Sequence, residues 1–229
     1  MSNLLKTEFY KLFHSRYFWI IVLFNFILST ILLLDSRGET LNLLFASLYN
    51  TPLLYFLTII FAALFVGNDF EQRTLYSYIC AGHKRSHVLF AKSLVYEAAC
   101  FMILMLPLLI HGFAGVFVLN ETPVLIDNTW VTMVIIALSV LAMCMLPLLF
   151  SFIFRDIGRT LVVPMVLFFL MIFLMNGEQI QTITPILPMG QLRLVSLGQQ
   201  SLQFLVIDLI WIFISYFGAY LGFCRSDLK

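Results

Sequence analysis

Long apolar runs separated by short polar clusters make up most of the chain. Residues 17–34, 40–68, 98–120, 128–154, 160–177 and 209–224 contain no Asp, Glu, Lys or Arg. Most of these runs reach the roughly 17–25 apolar residues that a helix needs to cross a bilayer core. Transmembrane barrel strands would instead show short alternating segments. The pattern predicts six membrane-spanning helices, at about 17–35, 48–67, 93–118, 130–154, 160–176 and 202–224. The expected fold is an all-α membrane bundle, a single transmembrane domain over 1–229 with no internal repeat, low-complexity tract or linker.

Three stretches between the runs carry structure of their own. Residues 2–16, SNLLKTEFYKLFHSR, are too polar to span. On a helical wheel Leu5, Phe9, Leu12 and Phe13 share one side, with Lys6, Thr7, Tyr10, Lys11 and His14 opposite. This predicts an amphipathic helix lying in the membrane interface, lysines toward anionic headgroups. Residues 176–200 are broken by Pro185, Pro188, Gly190 and Gly198, yet Ile183, Ile186, Leu187, Leu192, Leu194, Val195 and Leu197 are apolar. Broken backbone with apolar side chains fits short helices dipping into the outer leaflet against protein; a plain outer loop is the alternative. The third stretch, Phe65–Ser93, reads FVGNDFEQRTLYSYICAGHKRSHVLFAKS. Asn68 followed by Glu71 resembles a capping box opening a helix from about Asp69 to Cys80. That helix would carry Leu75, Tyr78 and Ile79 on one stripe and expose Glu71, Arg73, Thr74 and Ser77. Ala81-Gly82 would end it, and Ser86 would cap the helix that runs into the third span.

Composition agrees with the pattern. The 229 residues are 62% hydrophobic and 11% charged, where a soluble domain averages roughly 25% charged. The mean hydropathy is +1.00. Charge sets the orientation. With the N-terminus inside, Lys6, Lys11, Arg16, Arg73, Lys84, Arg85, Lys92, Arg155, Arg159, Arg225 and Lys229 are inside, and Arg37 and Arg193 outside. This asymmetry predicts cytoplasmic termini and a cytoplasmic 68–86 segment. The first apolar run ends LLLDSRGET without a small-x-small cleavage site, so it reads as a retained span. Outer loop 119–129 holds Glu121 and Asp127. Cys80, Cys100, Cys144 and Cys224 form no CxxC pair and none falls in an outer loop, which argues against a disulfide or zinc framework.

The 68–86 segment can be a solvated inner loop, a headgroup-binding surface or a docking surface for a cytoplasmic partner. Its mixed signs at Asp69, Glu71 and Arg73 weigh against lipid binding, which favours bases alone. Here the chain resembles a permease subunit of the type-two ABC transporter family, the small six-span kind of bacterial peptide-immunity and drug-export systems. The resemblance rests on Gly67-Asn68-Asp69-Phe70-Glu71-Gln72-Arg73-Thr74-Leu75, then Lys84-Arg85 and Lys92, the N-terminal helix, and Pro185 and Pro188 before the last span. Arg73 departs from the family pattern, where glycine is common. The resemblance implies a coupling helix at 68–86, with Asp69, Glu71, Arg73, Thr74, Lys84 and Arg85 toward a separate ATP-binding subunit. It also implies pairing with a second copy or a similar permease in the bacterial cell membrane, and a hydrophobic or amphipathic cargo: a toxin, antimicrobial peptide or drug. The chain has no GxxxxGK[ST] loop, so ATP and magnesium would belong to the partner, with no cofactor here and no hydrolysis. No nucleic-acid partner is expected.

Three ionisable residues fall within the spans. Glu97 lies near the inner end of the third, His111 in the same span, and Asp208 inside the sixth. Intramembrane acids are costly unless paired or wet, which marks each as a candidate. Glu97 is expected to pair with Lys92 or Arg85, and His111 to be a hydrogen-bonded bundle residue. Asp208 is expected either to bond within the bundle or to touch substrate. Together they define the rival reading, a proton-coupled secondary transporter; a non-transporting membrane scaffold is the other. His83 and His87 share an i, i+4 face but have no third ligand nearby in sequence. No GxSxG, HExxH or paired intramembrane aspartates support a protease.

Overall fold

The computed structural model describes residues 2–35, 42–120, 129–176 and 183–224. Arg37, Glu121, Asp127, Arg225, Lys229 and residues 177–182 of the outer broken segment lie outside this set. The described residues are helical throughout their elements, with no strand among them. The elements are α1 (Ser2–His14), α2 (Arg16–Asp35), α3 (Leu43–Leu54), α4 (Phe56–Ala62), a π-helical turn (Ala63–Gly67) and α5 (Asn68–Glu71). They continue as α6 (Thr74–Cys80), α7 (Arg85–Val118), α8 (Thr129–Phe154), α9 (Ile157–Asn176), a 3-10 turn (Thr184–Ile186), α10 (Pro188–Ser196) and α11 (Gln203–Cys224). Five of these helices are long and apolar enough to cross a membrane, and α3 with α4–α5 makes a sixth span if taken as one element bent by 46°. This is the architecture of a multi-pass membrane protein.

α7 and α8 are central. In α8 half of the most apolar stretch is buried, against 17% in α9, whose outward face presents Val162, Val166, Phe169 and Phe173. α11 packs along α8 through small residues: a Cβ on Gly218 would come within 2.9 Å of Leu149, and Ser215 and Ala219 are buried beside it. Small residues let helix backbones approach closely where lipid offers no hydrophobic drive for association.

Prolines shape the bundle, and side chains from other helices repair what they break. Pro107 in α7 lacks the N–H that would bond the Ile103 carbonyl, and Asn25 of α2 donates to that carbonyl instead. Pro147 in α8 frees the Met143 carbonyl, which accepts the Tyr55 hydroxyl at 2.9 Å. In a membrane such freed carbonyls need an internal partner, because no water reaches them. Tyr55 itself sits at the break between α3 and α4, three residues after Pro52.

The segment after the second span departs from the capping reading. Asn68 is no cap: it has helical backbone, φ −61° and ψ −33°, and continues the helix that arrives through the π turn. The break comes later, at Arg73, whose φ of 56° lies in the left-handed region. Ser86 does not cap the next helix either, since α7 begins at Arg85 after an extended Lys84 without a side-chain cap. Ala81-Gly82 does end α6, with Gly82 at φ 89°. In α1 the buried stripe is Leu4, Glu8 and Leu12, rotated from the expected one, and Phe13 is exposed.

Candidate functional site

At the end of the bundle where α1, α5, α6 and the start of α7 meet, four charges form one cluster. Lys92 of α7 is completely buried; its Nζ donates to Glu8 Oε2 at 2.8 Å and to Asp69 Oδ2, and lies 3.6 Å from the Phe65 ring centroid. Lys11, partly exposed, pairs with the other oxygen of Asp69. The Tyr78 phenol of α6 donates to Glu8; burial, and then that carboxylate, hold it above its usual range. Two acids and two bases balance, so each buried charge has a partner, the condition for placing charges out of water.

Three consecutive residues anchor the predicted coupling segment to three places. Asp69 enters the cluster with α1 and α7. Phe70 packs edge-on against Phe152 of α8 and Phe223 of α11, at 5.5 and 6.1 Å between centroids. The Glu71 carboxylate accepts from the Ile157 backbone N–H at 3.1 Å, the first residue of α9. An acid there satisfies an orphan donor and complements the helix dipole. Asp156 caps the same terminus by accepting from the Arg159 N–H at 2.8 Å. Gly67 permits the approach: a Cβ there would lie 3.2 Å from the Ile157 Cα.

The remaining residues of the expected coupling set divide. Arg73 and Lys84 are exposed, and Thr74 is half-buried. Arg85 is half-buried and donates to the Cys224 carbonyl at 3.0 Å, and Arg155 donates to the Gly222 carbonyl at 2.9 Å. Two guanidiniums therefore close the C-terminus of α11, where cations are favoured. Asp69, expected at a partner surface, is buried, and its carboxylate is committed to the two lysines.

The intramembrane residues are not brought together. Glu97 does not pair with Lys92 or Arg85; Lys92 is held by Glu8 and Asp69, and both Glu97 oxygens are buried without a hydrogen-bond partner. His111 lies 3.0 Å from Ser47 Oγ through Nδ1 and 3.2 Å from Thr30 Oγ1 through Nε2. The Thr30 hydroxyl donates to the Phe26 carbonyl, so Nε2–H donates to Thr30 and Nδ1 accepts from Ser47. A neutral imidazole is fully satisfied there. Asp208 lies on the far side, its Oδ2 accepting the Ser139 hydroxyl at 2.6 Å; Ser139 also lies 3.1 Å from Gln191 of α10. Gln191 donates to the Pro185 carbonyl at 2.9 Å, tying α10 to its own 3-10 turn. Each of the three groups thus has its own neighbours, and among the described residues no three His, Cys, Asp or Glu side chains gather as metal ligands.

Glu8, Ser139 and Gln191 went unnoticed in the sequence. For Glu8 a signal existed: it shares an i, i+4 stripe with Leu4 and Leu12, so an acid stood on a leucine face. No family model matches the chain, and no characterised protein matches it at a significant level.

Proposed function

We propose that the chain is the membrane-spanning permease subunit of an ATP-driven ABC exporter. On this reading a separate ATP-binding subunit docks on the cytoplasmic end, where both termini also lie. A second copy, or a similar permease, completes the translocator in the bacterial cell membrane. ATP and magnesium belong to the partner. The cargo is hydrophobic or amphipathic, since the described connections leave no room for a large capture domain.

The observation that carries this reading is the anchoring of Asp69, Phe70 and Glu71 to α1 and α7, to α8 and α11, and to α9. A solvated loop needs no such attachments. A segment that receives force and passes it on needs them, together with an exposed polar face. Arg73, Ser77, Cys80 and Lys84 supply that face. The rival secondary transporter has no comparable support, because Glu97, His111 and Asp208 have separate partners.

A photoreactive amino acid in place of Ser77 tests the docking. The expected adduct is with an ATP-binding subunit carrying a phosphate loop. It should be lost when Arg73→Asn, an asparagine being tolerated in the left-handed region, is combined with Lys84→Gln. Adducts with lipid alone, or with proteins that bind no nucleotide, would discard the reading.

A further inference from the structure

Glu97 is the one side chain whose two carboxyl oxygens are both buried with no donor, among the described residues. The surrounding groups cannot serve it. Tyr55 of α4 and Tyr96 of α7 lie within electrostatic range, but each phenol has one proton. Tyr55 gives its proton to the Met143 carbonyl that Pro147 frees, and Tyr96 gives its own to the Thr58 carbonyl at 3.2 Å. Lys92, five residues back on the same helix, is taken by Glu8 and Asp69. The remaining titratable neighbours are the buried thiols of Cys100 on α7 and Cys144 on α8. A carboxylate in this position lacks a counter-ion, and an unpaired charge in a bundle interior is costly.

Beside it the bundle opens a small apolar cleft. Tyr55, Met143, Met171, Met189 and Trp211 are among its walls. Tyr55 belongs both to the cleft wall and to the surroundings of Glu97, so the cleft ends where the carboxyl neighbourhood begins. Methionine side chains adapt to irregular apolar bodies, and aromatic faces attract cations.

We propose that Glu97 and this cleft form a binding site for a lipophilic cation, the apolar body lying among Met143, Met171, Met189 and Trp211 and the cationic head reaching past Tyr55 to the Glu97 carboxylate. The site requires no ATP-binding partner, and the exporter reading can fail without it.

The test uses the full chain purified in detergent and the probe tetraphenylphosphonium, followed by equilibrium dialysis. Saturable binding is expected, weakened by about tenfold or more in Glu97→Gln and unchanged in Asp208→Asn. Tetraphenylborate, of the same shape and opposite charge, is expected to bind far more weakly. Equal binding of the two probes, equal affinity in Glu97→Gln, or no saturable binding would overturn the site. Should Glu97→Gln not fold, the unsubstituted protein is treated with dicyclohexylcarbodiimide and its peptides are mapped by mass spectrometry. Adduct formation at Glu97 is expected to be blocked by saturating tetraphenylphosphonium. A Glu97 that never reacts, or reacts equally with the probe present, also overturns the proposal.

Discussion

The two ends of the bundle bury acids by different chemistry. At the α1 end, Glu8 and Asp69 are neutralised by Lys92 and Lys11, and the four charges join three segments far apart in sequence. At the α10 end, Asp208 has no base among its printed partners and is held by the neutral donor Ser139, with Gln191 beside it. Close backbone approach does the rest there. A Cβ on Gly190 would stand 2.1 Å from the Thr184 carbonyl oxygen. The comparison teaches that the first end is held by paired charges and the second by shape. Charge pairs are unforgiving when one member is lost, because the survivor stays buried. A neutral network loses only the bond that is cut.

The largest effect should come from Lys92→Met. It leaves two buried carboxylates facing each other with Lys11 alone, and removing one partner of a buried pair costs about 3–5 kcal/mol. Thermal unfolding in detergent should fall accordingly, and limited proteolysis should release α1 first. A melting curve unchanged from the unsubstituted protein would mean that the cluster does not hold that end.

Gly190→Ala comes next. The added methyl cannot coexist with the Thr184 carbonyl, so the 3-10 turn must move, at a cost of about 1–3 kcal/mol. If hydrogen exchange in 183–196 stays as it was, shape is not what secures the second end.

Asp208→Asn should be mild, under about 1 kcal/mol, because the amide oxygen still accepts from Ser139. A collapse in stability comparable to that of Lys92→Met would erase the contrast between the ends. A gradient-driven uptake activity abolished by this change would instead favour the secondary transporter.

The smallest effect is a gain. Arg73 holds a left-handed backbone, which disfavours any residue with a Cβ, so Arg73→Gly should stabilise by about 0.5–1 kcal/mol. Denaturant or thermal curves of the pair would measure it, and a loss would show that the Arg73 side chain makes contacts worth more than its strain.

The apolar runs made the spans legible, because hydrocarbon thickness imposes a length that composition reveals. The placement of 2–14 as a separate helix and of short helices within 183–196 was legible for the same kind of reason. What escaped depended on rotation. The wheel of α1 put its buried face one position away, since Glu8 was not weighed as a buried residue beside Leu4 and Leu12. Asn68 and Glu71 matched a cap by local spacing, but a cap needs a chain that arrives unwound, and this one arrives as helix. Glu71 does cap a terminus, that of α9, through a contact 86 residues away that no local pattern displays. Glu97 was assigned to the nearest base in sequence. Lys92 is closer to Asp69 and Glu8 because α7 turns it toward α1.

The π turn at Ala63–Gly67 gives this end of the protein an unusual sensitivity to length. A π turn holds one more residue than the α turn it replaces. Deleting any one residue between 63 and 67 would restore ordinary pitch and rotate everything beyond it by about 100°. Asp69 would then leave the lysines, Phe70 the aromatic pair and Glu71 the α9 terminus, all without one side chain being substituted. Insertions and deletions are usually tolerated in loops and rejected within spans. Here a single-residue change of length inside a span would act as a re-aiming step, and related chains that differ by one residue at this turn should present a different face of the same short helix.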